Sequence, residues 1–151
     1  MDEPGMVAER PAPEIEPHAE PFWRAAKQRR LLLPRCTDCQ ALQFPPELSC
    51  VHCGSPSQEW VEASGRATLY TWTLCHAPLL PYFAAHAPWA VAAVTLEEGV
   101  RMITRVVGIP ESQYQMEMPL VADYEDLDDE RTLVVFRPAD DGLTSPESPV
   151  P

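Results

Sequence analysis

From Gly65 onward the hydrophobic pattern is that of short β-strands separated by turns. Arg66 to Thr73 alternates, which predicts Thr68, Tyr70 and Trp72 on one face and Ala67, Leu69 and Thr71 on the other. Trp89 to Leu96 is apolar on both faces and predicts a central strand covered on both sides. Glu97-Glu98-Gly99 reads as a hairpin turn with glycine at the left-handed position, so Arg101 to Val107 should return antiparallel. Leu120 to Tyr124 and Thr132 to Arg137 supply two more strands around an acidic loop, Glu125 to Glu130. Five short strands in this stretch fit a small Greek-key barrel of the OB type, with an open sandwich as the fallback.

Upstream of the barrel the pattern changes. Pro21 suits a first helical turn, and Phe22 to Arg30 is a short helix candidate with Ala25 and Ala26 in its middle. Leu31-Leu32-Leu33 then reads as an apolar strand. The connection from Leu74 to Pro88 is too long for a hairpin and too apolar for a solvated loop, which points to a docking or ligand-lining surface. Both ends are rich in proline and acid and lack the apolar content to offset their ordering entropy. The expected organisation is therefore a disordered leader over 1–20, helix and lead-in strand over 21–34, a ribbon over 35–60, the barrel over 61–139 and a disordered tail over 140–151. The fold class is mainly β.

The ribbon assignment rests on cysteine spacing. Cys36-Thr37-Asp38-Cys39 is followed, ten residues later, by Cys50-Val51-His52-Cys53. Two Cys-x-x-Cys pairs this close have the spacing of a four-thiolate metal site, each pair turning tightly to aim two sulfurs at one point. Gly54 follows the second pair, where such a turn needs positive φ; Gln40 follows the first, a less suited residue. Pro45-Pro46 forces an extended or turning connection between the pairs. No N-terminal stretch resembles a secretory signal, which disfavours a disulfide reading, and cytoplasm is the default location. Zinc is the expected ion, with iron in a rubredoxin-like electron carrier as the alternative. Four thiolates saturate the ion, so the site should be structural and brace a ribbon too small to fold alone.

Charge narrows the partners. A net charge of −12 argues against nucleic acid, which a barrel-and-ribbon chain would otherwise suggest. No apolar run approaches the roughly 20 residues that span a bilayer. Positive charge is concentrated in Arg24, Lys27, Arg29, Arg30 and Arg35. The plain interpretation is a solvated face; the sharper one is a patch for a partner or for a phosphate-bearing cofactor such as a CoA thioester. Aromatic residues at Phe22, Trp23, Tyr82 and Phe83 are of the kind enriched at interfaces. With Lys27, Arg29 and Arg30 they form the candidate partner or CoA-binding surface. His76, His86 and Cys75 lack an acidic orienter or nucleophile partner at a recognised spacing, so no catalytic residue is assigned.

Several fragments together are familiar. They are Phe22-Trp23, Arg35-Cys36-Thr37-Asp38-Cys39, Pro45-Pro46, Cys50-Val51-His52-Cys53-Gly54-Ser55, Trp60, Gly65 and Leu69-Tyr70-Thr71-Trp72-Thr73. Pro88-Trp89-Ala90-Val91, Leu96-Glu97-Glu98-Gly99-Val100-Arg101, Pro119-Leu120-Val121 and Phe136-Arg137-Pro138 follow in order. Over about residues 20 to 139 the chain resembles the family long called domain of unknown function number thirty-five, which joins a rubredoxin-like zinc ribbon to an OB-fold. The resemblance implies zinc on Cys36, Cys39, Cys50 and Cys53. It further implies an auxiliary subunit of a hetero-oligomer whose thiolase-like partner, sometimes with a hydratase, makes or breaks carbon–carbon bonds on CoA thioesters, steroid side-chain aldolases included. Catalytic residues then lie on the partner, and this chain is a component of a lyase, aldolase or acyltransferase complex without turnover of its own. Gln40 and Glu117 depart from the family pattern, standing where glycine is usual.

Overall fold

Leu31 and Leu33 are fully buried while Leu32 between them is half-exposed, the alternation of a strand with one covered face. The computed structural model in which they sit describes residues 8–76 and 80–139. In chain order it contains a 3₁₀ turn (Pro17–Ala19), α1 (Glu20–Lys27), β1 (Leu32–Cys36), β2 (Gln58–Glu62), β3 (Arg66–Cys75), α2 (Pro81–Ala85), β4 (Trp89–Leu96), β5 (Arg101–Thr104), a second 3₁₀ turn (Glu111–Gln113), β6 (Pro119–Asp126) and β7 (Thr132–Pro138).

α1 begins at Glu20, ahead of the expected Phe22 start, and stops at Lys27, short of the expected Arg30 end. Arg29 takes φ 60°, its N–H bonds the Ala26 carbonyl, and the Arg30 N–H reaches back to Ala25. That is a Schellman ending built on arginine where glycine is the usual residue. Phe22, Ala25 and Ala26 form the buried face of α1. Phe22 meets Trp23 and Phe44, each at 5.5 Å between ring centroids.

β1 and β2 pair antiparallel, Pro34 opposite Trp60. The remaining strands form one sheet in the order β5-β4-β3-β6-β7, all antiparallel. The Phe136 N–H donates to Arg105 O and the Val107 N–H to Phe136 O, a parallel bridge that brings the two sheet edges together. This order with a parallel seam is that of an OB barrel. Phe136, Leu69, Leu96, Leu120 and Val94 fill it, each burial worth about 1.5–3 kcal/mol. The same apolar cluster takes in Phe22, Ala26, Leu31 and Leu33, so helix, lead-in strand and barrel share one core.

Two strand expectations need correction. A bulge between Leu69 and Thr71 shifts the register of β3 against β4. The extra residue turns Trp72 to the side of Ala67 and Leu69, where it packs on the core and meets Tyr114 edge-on at 5.7 Å, while Tyr70 stays exposed. β4 lies inside the sheet, paired with β3 and β5, but it is not covered on both faces: only alternate residues, Ala92, Val94 and Leu96, are buried. Its other face is half-open because a closed barrel has one inside.

Of the expected leader, residues 8–16 carry no regular structure, yet Arg10 pairs with Glu125 and Arg131 Nε donates to the Pro13 carbonyl at 2.7 Å. The long connection holds α2. Leu79 and the tail from Asp140 lie outside the described residues.

Candidate metal centre

Cys36 ends β1, and the backbone folds back at once. The Cys36 N–H bonds Ala41 O at 2.9 Å and the Gln40 N–H bonds Cys36 O at 2.9 Å. The second pair repeats the motif: Cys50 N–H to Ser55 O at 2.8 Å and Gly54 N–H to Cys50 O at 2.8 Å. Gly54 has the expected positive φ, 79°, and Gln40 adopts the equivalent 63°. Side-chain Nε2 of Gln40 donates to Thr37 O at 2.8 Å, so the first turn keeps the glycine geometry with its own brace. Thr37 and Ser57 backbones bond at 3.0 Å and Ser55 Oγ donates to Asp38 at 2.5 Å, tying the two turns face to face.

The result is a cage of sulfur. Cys36 and Cys53 Sγ are 3.6 Å apart, Cys39 and Cys50 Sγ 3.5 Å, and all four lie within 4.8 Å of one another. A tetrahedron with metal–sulfur bonds of about 2.3 Å has edges of about 3.8 Å, so the four sulfurs are placed to hold one metal ion. Cys36 and Cys50 are buried, Cys39 and Cys53 face outward.

Backbone amides set the thiols apart. The Cys39 amide draws Cys36 below its ordinary range, against burial. The Cys53 amide does the same for Cys50, which falls to about 6. Cys53 is pushed up to about 12: the Ser55 amide favours its thiolate, but bonding to the Cys36 sulfur, then burial, outweigh it. Cys39 is raised too, the pull of the Ala41 amide being overcome by burial and the Cys50 sulfur. Cys36 and Cys50 are thus biased toward the thiolate and Cys39 and Cys53 toward the thiol, so an arriving cation has more proton to displace at the second pair.

One contributor escaped sequence reasoning. Gln43 is 5% exposed; its Nε2 donates to Ser49 O at 3.1 Å and its Oε1 accepts from the Val51 N–H at 2.9 Å. Its own backbone N–H bonds Pro34 O at 3.2 Å. It therefore splints the second turn to the strand that carries the first. A lone glutamine between two cysteine pairs has no spacing that marks it.

The other candidate residues scatter. Phe22 is buried, not surface-facing, because the helix stripe that carries it packs on the core. Trp23 is half-buried and lines a cleft with Ile15, Lys27 and Arg131. Lys27 Nζ reaches Asp128 O at 2.8 Å, Arg29 forks onto Asp126 at 2.9 and 2.6 Å, and Arg30 holds Glu62 at 2.7 Å. Their positive charge answers acids of the barrel and ribbon. Tyr82 and Phe83, on α2, stack with Trp89 and His86 away from the cage. Among the described residues, no hydrogen bond joins Cys75 to a histidine, and the His86 ring bonds Tyr82 O at 2.7 Å.

Comparison with known proteins agrees with this architecture. A family model described as the rubredoxin-like zinc ribbon domain of ChsH2 matches residues 23–59, and one described as the ChsH2 C-terminal OB-fold domain matches residues 60–125. A probable enoyl-CoA hydratase alpha subunit of Thermomonospora curvata is 43% identical over 130 residues, 86% of this chain and 40% of that protein. The 3-oxo-4,17-pregnadiene-20-carboxyl-CoA hydratase alpha subunit of Mycobacterium tuberculosis is 33% identical over 108 residues, 72% of this chain and 34% of that protein. This chain thus spans less than half the length of either relative. The solved Ltp2-ChsH2(DUF35) aldolase contains a chain of 42% identity that superposes with a TM-score of 0.73, covering 84% of this chain and 98% of that one. No helix among the described residues is long and apolar enough to cross a membrane.

Proposed function

This chain belongs to the DUF35 family, in the ChsH2-type pairing of zinc ribbon and OB-fold, and from that premise we propose that it is a non-catalytic subunit of an acyl-CoA enzyme complex. The catalytic partner is a thiolase-like protein that cleaves or forms carbon–carbon bonds on CoA thioesters, with retro-aldol cleavage of a steroid side chain as the specific reaction. Zinc occupies the cage of Cys36, Cys39, Cys50 and Cys53, where four thiolates leave no position for substrate or water. Its role is to hold the ribbon rigid.

The closed cage carries this reading. The most chemically specialised site among the described residues is built to exclude reactants, and Cys75, His76 and His86 form no acid–base or nucleophile pair. The names of the similar proteins support an assembly, since two are alpha subunits and one forms an aldolase with Ltp2. Those names also favour a hydratase as a further partner. Lys27, Arg29 and Arg30 would meet CoA phosphates by exchanging the carboxylates of Asp126 and Glu62 for phosphate oxygens.

The test is co-expression with the Ltp2 subunit followed by gel filtration and assay of both components. A stable complex, with retro-aldol turnover seen only when both chains are present, is the expected result. Turnover of a CoA thioester by the rigorously purified chain alone, abolished in Cys75→Ala or His76→Ala, overturns the proposal. An electron carrier would show the red colour of a ferric tetrathiolate, where zinc is colourless.

A further inference from the structure

We infer that the catalytic partner docks on the outer face of β4 and β5, where α2 lies against it, and that it does so with an apolar side chain rimmed by carboxylates. The inference rests on the subunit reading above and specifies its contact surface. Burial of Ala92, Val94, Leu96 and Met102 turns Trp89, Val91 and Ala93 of β4, with Arg101 and Ile103 of β5, outward. In OB barrels these second and third strands form the usual ligand face.

Three features suit this face to a protein. Ile103 is 68% exposed at its centre, a large aliphatic side chain that no neighbour covers enough to bury. Beside it a cleft of about 230 Å³ lies between Phe83, Trp89, Ile103 and Leu133, large enough for one apolar side chain. Guanidinium groups stand over the aromatic rings around it: Arg101 is 3.6 Å from the Tyr70 ring centroid, Arg105 4.9 Å from that of Trp89, and Arg10 5.6 Å from Trp89. Stacked arginines of this kind lose little freedom when they bind, and arginine with aromatic residues is the composition of interface hot spots. In a chain of net charge −12 this positive rim is a local reversal, and charge complementarity calls for an acidic partner surface. Arg10 and Arg105 share one carboxylate, Glu125, which leaves the group net positive.

Single-stranded nucleic acid also seeks arginines and aromatic rings on an OB face. The apolar centre formed by Ile103, Phe83 and Leu133 and the overall negative charge favour a protein. A second copy of this chain would bring the same positive rim against itself.

The test titrates the intact zinc-loaded chain with the Ltp2 subunit by calorimetry. The variants are Ile103→Asp and Arg101→Glu, with Leu48→Asp on the ribbon as the control for an exposed apolar residue outside the face. Melting temperature and zinc content establish that each variant folds. The expected result is a loss of affinity of about tenfold or more for both face variants, little change for the control, and a weaker salt dependence for Arg101→Glu than for wild type. Binding that is insensitive to both face variants overturns the docking surface and leaves the subunit reading standing. Absence of Ltp2 binding by the wild-type chain overturns both. Two other outcomes overturn the choice of occupant: wild-type self-association in sedimentation that Ile103→Asp abolishes, or oligothymidylate binding that Arg101→Glu abolishes.

Discussion

Replacing Gln43 by alanine is the sharpest test of how the ribbon is held ready for its ion. The side chain accepts from the Val51 N–H and donates to Ser49 O, while its backbone N–H bonds Pro34, two residues before Cys36. Alanine leaves one amide hydrogen and one carbonyl without a partner in a site where Gln43 itself is 5% exposed. At about 1 kcal/mol net for each hydrogen bond, the closed ribbon loses about 2 kcal/mol. Metal binding draws on that closed form, so the loss passes to the metal as a roughly 30-fold weaker zinc affinity. Competition against a chromophoric chelator measures it. Gln43→Glu refines the test, since it keeps an acceptor for Val51 but sets a carboxylate against the Ser49 carbonyl, and it should bind zinc no better than alanine. Zinc affinity within about threefold of wild type in Gln43→Ala would refute the splint.

Three further outcomes follow from the structure. Zinc binding should release protons, chiefly from Cys39 and Cys53, whose thiols are raised, and less from Cys36 and Cys50, whose thiols are lowered. Affinity should therefore fall as pH falls, and pH-dependent chelator competition reads the slope; affinity independent of pH contradicts proton displacement. The Asp126 carboxylate is held well below its usual range by the Arg29 fork and then the Thr132 hydroxyl, so its contribution is present above the unfolded value of about 3.9 and lost as pH falls through the folded value. Asp126→Asn should lower the melting temperature at neutral pH, with the gap closing in acid; an equal gap at both ends of the titration contradicts the linkage. Glu117, at φ 63°, should tolerate glycine with a gain of about 0.5–1 kcal/mol, whereas Gln40→Gly should gain less because it also loses the bond to Thr37 O; thermal melts rank the two.

The strands were legible because turn residues bracket short apolar runs, and the first half of β3 and the second half of β4 bury alternate residues as a pleat imposes. The bulge after Leu69 was not, since nothing in Leu-Tyr-Thr-Trp marks where an extra residue is inserted; only pairing with Ala93 and Val94 defines it. The cage was legible from spacing, because four sulfurs within 4.8 Å demand two short turns and little else. The fate of Lys27, Arg29 and Arg30 was hidden for the opposite reason. Their carboxylate partners lie about 30 to 100 residues away in sequence, and a linear reading sees the cluster of cations without the acids that meet it.

Gln40 shows how the ribbon separates shape from composition. The two cysteine turns share the same pair of backbone hydrogen bonds and the same left-handed residue, although one uses glycine and the other glutamine. A left-handed non-glycine residue costs roughly 1 kcal/mol, and the Gln40–Thr37 bond offsets part of it. The geometry that must be kept is the convergence of sulfurs, and four metal–thiolate bonds in one closed site far exceed that local cost. Within this one ribbon the turn therefore accepts glutamine or glycine after the cysteine pair, while the four sulfurs keep one convergent geometry. The barrel shares its core with α1 and β1, so a ribbon held by its four sulfurs is joined to the barrel through packed side chains rather than through a loose linker.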